Sequence, residues 1–210
     1  LFSVQSRLLQ FTNYNSDGYG SPDTLRATGD PLPDGGYVWS HVAVTYADSG
    51  STIKIYLNGS ELTSTDTGGS MSAQVDTTAS NIGFNHRSGG ESYFKGLIDE
   101  VSYWSDDLTA AQVLALYNSG TPLNATKSAA ASNLVGYWRN NHLTSAGTWE
   151  DLSTNDNHGN VSFTTSNYMF FQGGVTANLD SQGMNTSIDH PSGGGVYFDG
   201  ASDYINVGSG

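Results

Sequence analysis

The sequence predicts an all-β chain: an antiparallel β-sandwich with one short helix. Three observations lead there. Glycine is frequent at 26 residues, aromatic residues reach 11% and only 13% of residues are charged, a profile of strands and turns. Short apolar runs recur, several with two-residue alternation, and Gly, Asn, Asp and Pro clusters separate them. One segment alone shows a convincing helical period. A length of 210 residues suffices for one sandwich with a full core, or for one domain and part of another.

Taken in order, residues 1–11 hold two short apolar runs and residues 13–20 a loop rich in Tyr, Asn and Gly. PLPDGG (31–36) marks a turn, and YVWSHVAVTY (37–46) reads as a strand apolar on both faces, hence a central one. The clearest local signal is TIKIYLNGSELTSTD (52–66). There Ile53, Ile55 and Leu57 alternate with Lys54 and Tyr56, and Asn58-Gly59 supplies the two left-handed residues of a type I′ hairpin. A strand near residues 81–85 and a long one over 93–104 follow. In DDLTAAQVLALYNSG (106–120), Thr109 and Gln112 match a capping box, Leu108, Val113, Leu116 and Tyr117 form an apolar stripe, and Gly120 is the expected stop. Past a small-residue connector (121–132), LVGYWR is a strand and DLSTNDNHGNVSF (151–163) a polar turn entering another. Residues 166–195 have weak periodicity, and VYFDGASDYINVGSG (196–210) reads as strand, tight turn, strand.

Charge narrows the function classes. Twenty acidic residues against 7 basic ones give a net charge of -13, which repels phosphate backbones and anionic headgroups, so neither nucleic-acid nor membrane-surface binding is expected; no apolar run approaches the roughly 20 residues that span a bilayer, so membrane insertion is not expected either. The chain has no Cys, hence no disulfide framework and no thiolate metal site.

Catalytic chemistry finds no residues to carry it. A retaining glycosidase needs two carboxyl groups about 5 Å apart, but Asp99 and Glu100 are adjacent, and adjacent strand residues point to opposite faces. One of the two should face the interior, where a carboxylate needs donors or a cation. His41 reads as a hydrogen-bonded core residue before it reads as a base. No Ser sits in a nucleophile-elbow glycine motif. The chain is therefore not expected to be an enzyme.

No cofactor is demanded, and calcium is the one these residues could hold. Asp151, Asn155, Asp156 and Asn157 gather hard oxygen donors ahead of Gly159, with capping of the loop by its own side chains as the competing reading. NYNSDG (13–18) has the spacing of half a calcium loop, but Thr24 stands where the bidentate Glu belongs. For sugar contacts the candidates are Tyr14, Tyr19, Tyr93 and Trp149, whose flanks are polar, against simple loop packing.

From Trp39 to Gly120 the chain resembles the laminin G-like and pentraxin-like branch of the concanavalin A-like jelly rolls. The residues that carry this are WSHVAVTY, IKIYLNGSEL, NIGFN and KGLIDEVSYWSDDLTAAQVLALYNSG. The resemblance implies a jelly roll whose helix follows the IDEV strand. The acid-rich loop of pentraxins is replaced by NHRSGGES (85–92), which departs from calcium-dependent binding of that type. LVGYWR with DLSTNDNHGNVSF resembles the lead-in to such a domain, and VYFDGASDYINVGSG resembles its opening strand pair, here placed last.

The expected organisation is a jelly roll lacking its first strands over 1–120, a connector over 121–132, a β-rich lead-in over 133–193 and a strand pair over 194–210. Through Tyr197, Tyr204, Ile205 and Val207 that pair is expected to dock on the sheet of residues 1–11, in the same chain or the next. Modules with such lead-ins are similar to structural and appendage proteins of tailed bacteriophages, particularly marine ones. The resemblance implies a non-catalytic structural or adhesive module, virion or extracellular, whose partners are other subunits or tandem repeats; the alternative is a carbohydrate-binding module for a cell-surface polysaccharide.

Overall fold

The computed structural model describes residues 2–5, 8–13, 23–28, 31–32, 38–47, 52–66, 79–85, 92–143, 148–162, 196–201 and 203–209. All strand pairs among them are antiparallel. The chain forms two compact units built from interleaved segments: unit 1 from residues 1–76, 105–123 and 127–133, unit 2 from residues 77–104, 124–126 and 134–210.

The described residues of unit 1 form two sheets. In the first, β1 (Phe2–Gln5), β2 (Leu8–Asn13), β3 (Asp23–Ala27) and β7 (Ser64–Asp66) lie side by side in that order. The second has the order β4 (Val42–Ala47), β5 (Thr52–Leu57), β6 (Ser60–Glu61). Leu9 and Ala27 of the first sheet and Ile55 of the second form the buried core of unit 1, with Val42, Val44, Ile53 and Leu57 packed around them. The β5–β6 hairpin closes through Asn58 (φ 49°) and Gly59 (φ 77°), the pair of left-handed residues the Asn-Gly dipeptide predicts. Helix α1 (Ala110–Tyr117) begins at the expected capping box: the Gln112 amide donates to Thr109 Oγ1 (3.3 Å) and the Thr109 amide to Gln112 Oε1 (2.8 Å). It buries Val113 and Leu116 and ends at Asn118, left-handed at φ 44°, two residues before the expected glycine stop.

Unit 2 is built on a six-stranded sheet. Its order is β12 (Val101–Trp104), β13 (Leu134–Leu143), β14 (Thr148–Asp151), β15 (Gly159–Ser162), β17 (Tyr204–Ser209), β8 (Ala79–Ile82). A two-stranded sheet pairs β11 (Lys95–Ile98) with β16 (Val196–Asp199), and β9 (Phe84–Asn85) pairs with β10 (Ser92–Tyr93). Trp138, Trp149, Val196, Phe198 and Ile205 make the core, and Ile82, Phe94, Ile98, Val101 and Val207 pack against it. Gly83 (φ 85°) lets the Phe198 ring approach, since a Cβ there would lie 2.3 Å from the ring.

Two expectations are corrected. The terminal strand pair does not join the sheet of residues 1–11. Instead β16 pairs with β11, and β17 enters between β15 and β8. Register explains the choice: Ile205 falls opposite both Ile82 and Val161, and Asn206 opposite both Asn81 and Asn160, whereas β1 and β2 are neighbours in sequence that pair with each other through Gln5 and Leu8. The long strand over 93–104 is three pieces: Phe94 separates β10 from β11, and Glu100, at φ 55°, breaks the ladder between β11 and β12. Among the described residues β4 pairs only with β5.

If the terminal strands complete this core, Phe198→Ala should cost about 3–5 kcal/mol in chemical denaturation. Tyr103→Ala, at a site 64% exposed on β12, should cost less than about 1 kcal/mol. Equal and small losses at both positions would place Phe198 outside the core.

Candidate functional site

Glu100 and the 151–157 loop, both singled out by sequence, lie in unit 2 beside β13. The alternation in LVGYWR sets the geometry. Trp138 faces the core opposite Val101, so Tyr137 and Arg139 lie on the other face. Glu100 reaches the same face from the break before β12. One of its carboxylate oxygens lies 2.8 Å from the Arg139 guanidinium, and the other accepts the Tyr137 hydroxyl. The Glu100 side chain is only 12% exposed. Burial, reinforced by the hydrogen bond to Glu100, pushes the Tyr137 phenol far above its ordinary value. Of the Asp99-Glu100 pair, Glu100 is thus an acid held largely away from solvent, and its partners are a phenol and a guanidinium. Arg139 was missed in the sequence reading, although Tyr137 and Arg139 stand two apart on a strand and must share a face.

A second carboxylate organises the loop after β14. Asp151 is 5% exposed. Its Oδ1 accepts from the amides of Tyr137 (2.8 Å) and Ser153 (2.8 Å), and its Oδ2 from the Ser153 hydroxyl (2.7 Å) and the Asn157 amide (2.9 Å). Asn155 and Asn157 turn their amide nitrogens toward β13: Asn155 donates to the Leu134 and Val135 carbonyls and Asn157 to that of Val135. The Trp138 indole returns a bond to the Asn157 carbonyl at 2.9 Å, and His158 Nδ1 accepts from the Asp151 amide at 3.1 Å. Asp156 is left-handed at φ 55°, a conformation Asp tolerates better than most residues, and its carbonyl accepts from the His158 amide.

This arrangement does not fit calcium at Asp151. A carboxylate offers about four lone-pair sites, and four donors already occupy them, each turning a positive hydrogen toward the place a cation would take. The loop is held by its own side chains, the competing reading of the sequence. Among the described residues no cluster of three or more His, Asp and Glu gathers that could hold a metal.

The sugar-contact candidates separate. Trp149 is 0% exposed, packs in the core and donates its indole N–H to the Arg139 carbonyl at 2.7 Å, so its assignment to an exposed binding surface is corrected. Its polar neighbours Thr148 and Glu150 suggested exposure, but in a strand they simply occupy the opposite face. Tyr93 is part-exposed, its ring 4.9 Å from that of Phe84, which in turn lies 5.2 Å from Tyr204. Tyr14 and Tyr19 fall outside the described residues, as does most of the 13–18 loop. Of the strand-docking set, Ile205 is fully buried, Val207 packs against the core, Tyr204 lies on the opposite face, and the Tyr197 backbone pairs with Leu97. His41 precedes β4. Its amide donates to Asn58 Oδ1 at 2.9 Å, its ring lies 6.0 Å from that of Tyr117, and burial holds its imidazole below the usual histidine value.

Asp151→Ala would strand three backbone amides and should cost about 3 kcal/mol or more, whereas millimolar calcium or a chelator should leave the melting temperature of the intact chain unchanged. A calcium-dependent rise of several degrees that Asp151→Ala abolishes would restore the metal assignment.

Neither curated proteins nor solved structures match the chain. The laminin G-type family model described as the concanavalin A-like lectin/glucanases superfamily matches residues 2–114. With the antiparallel sheets and the short α-helix of its described residues, the chain is an all-β jelly-roll sandwich and belongs to the concanavalin A-like lectin/glucanase superfamily.

Proposed function

We propose that this chain is a non-catalytic structural or adhesive module of a virion or extracellular assembly, docking protein subunits or repeats to one another. The observation that carries the reading is the closure of unit 2 by β16 and β17, which enter from far along the sequence and take ladder positions beside β11, β15 and β8. Strand addition of this kind is a recurring way for proteins to dock. The buried carboxylates support a role without catalysis. Glu100 is engaged by Arg139 and Tyr137, and Asp151 by four donors, so each serves to fix the sheet. The net charge of -13 disfavours nucleic acid and anionic membranes as partners.

Carbohydrate recognition is the second reading, and the face of the six-stranded sheet opposite the core favours it. With Ile205 turned inward, Tyr204 and Asn206 point the other way, and Asn206 lies between Asn81 and Asn160 in register. Part-exposed Phe84 adjoins Tyr204, and Tyr93 adjoins Phe84. Amides beside aromatic rings suit neutral sugars, and the negative charge of the chain disfavours anionic ones.

Sedimentation velocity over a concentration series, run beside a panel of neutral and sulfated polysaccharides, separates the two. The docking reading predicts concentration-dependent association, no polysaccharide bound and no reducing ends released. A chain monomeric at every concentration that binds a neutral polysaccharide, with roughly tenfold loss on Asn206→Ala, would replace it with the second reading.

A further inference from the structure

We propose that His41 is an acid-operated latch in unit 1: it holds helix α1 on the β5–β6 turn while its imidazole is neutral, and releases the helix when the ring takes up a proton.

The pleat of β4 and β5 puts His41 beneath α1. Val42 and Val44 turn toward the core with Leu9 and Ile55, so His41 and Thr45 turn the other way, together with Tyr56 of β5. His41 continues the ladder one residue before β4: its amide donates to Asn58 Oδ1 at 2.9 Å, and its carbonyl accepts from the Asn58 amide at 2.8 Å. Helix α1 lies over this end of the face. The His41 ring is 6.0 Å from that of Tyr117, and α1 sits so close on the turn that a Cβ at Gly59 would be 2.7 Å from Leu114 Cδ1 and 3.1 Å from Tyr117 Cδ1.

A charge on the ring has nothing to meet there. His41 Nδ1 is buried and has no hydrogen-bond partner among the described residues. The helix, AAQVLALY, holds no charged side chain, and its one titratable group is the Tyr117 phenol. Two of its last carbonyls are already taken, that of Leu114 by the Asn118 amide and that of Leu116 by the Leu123 amide. β4, VAVTYA, offers only the Tyr46 phenol. The hairpin contributes the buried phenol of Tyr56 and the charges of Lys54 and Glu61, which are solvated and bonded to each other at 3.1 Å. A proton on His41 would therefore be a charge taken out of water with no counter-charge among the described residues, and such burial is costly. Burial accordingly holds the imidazole below the usual histidine value of 6.5.

The sign of the pH dependence follows. With α1 released, the histidine is solvated and binds a proton more readily than it does beneath the helix. The latch is at full strength above pH 6.5, weakens as pH falls from there toward the lowered value, and weakens no further beneath it. Opening bares Val113 and Leu116, which α1 otherwise buries, so acid uncovers an apolar surface.

Hydrogen exchange at the amides of Val113 to Tyr117, corrected for the intrinsic effect of pH, tests the latch in the intact chain and in His41→Phe. The variant keeps a ring against Tyr117 and the backbone bonds to Asn58 but cannot titrate. Between about pH 7.5 and about pH 5, the population with α1 open is expected to rise roughly tenfold in the unaltered chain and to stay level in His41→Phe. An equal rise in both, or none in the unaltered chain, would overturn the latch. If His41→Phe does not fold, the titration of the His41 ring followed by NMR in the unaltered chain decides. A midpoint below 6.5 that coincides with the loss of α1 protection supports the latch, and a midpoint at or above 6.5 overturns it.

Discussion

A β-sheet strand in an interior position has to satisfy hydrogen bonds on both edges and fill space on at least one face. In unit 2 that constraint falls on β17. Ile205 sits in register with Ile82 on one side and Val161 on the other, and is fully buried. With β17 in place, β8 gains a neighbour, β15 loses an open edge, and β16 is positioned against β11 with Phe198 in the Gly83 notch. Without it, the two tryptophans of the core would face a gap.

The polar chemistry of the unit serves this architecture. Asp151 ties the β14–β15 turn to the amide of Tyr137, and Tyr137 in turn donates to Glu100, which the Arg139 guanidinium accompanies. The network therefore runs from the loop after β14, through β13, to the break before β12. Burying charge is costly unless it is paired and hydrogen-bonded, and here both carboxylates are. The left-handed backbone of Glu100 is what presents its side chain to that network, so the interruption of the strand and the ion pair are one feature.

What was legible in the sequence was local. Asn58-Gly59 specifies its own turn, and Thr109 with Gln112 specifies the start of α1, because each signal involves residues within three positions. The capping of the 151–159 loop by its own Asp and Asn side chains was legible for the same reason, as the reading that competed with calcium. The partners of the terminal strands were not legible, since the register of β17 depends on Ile82 and Val161, which are remote in sequence. Trp149 misled because polar flanks were taken for exposure, when strand alternation sends Trp149 and Asp151 inward together. The break at Glu100 had no sequence signature, because a left-handed Glu is chosen by its partners Arg139 and Tyr137 and not by its own preference.

The central claim, that the terminal strands are integral to unit 2, is tested most directly by native-state hydrogen exchange at single-residue resolution. The account predicts that the amides of Tyr204, Ile205 and Asn206 are protected to the same degree as those of Tyr137 and Trp138 in β13, because they open only when the unit unfolds. Exchange at Ile205 near the rate of an unstructured peptide, with β13 still protected, would show that the unit holds together without β17 and would contradict the account.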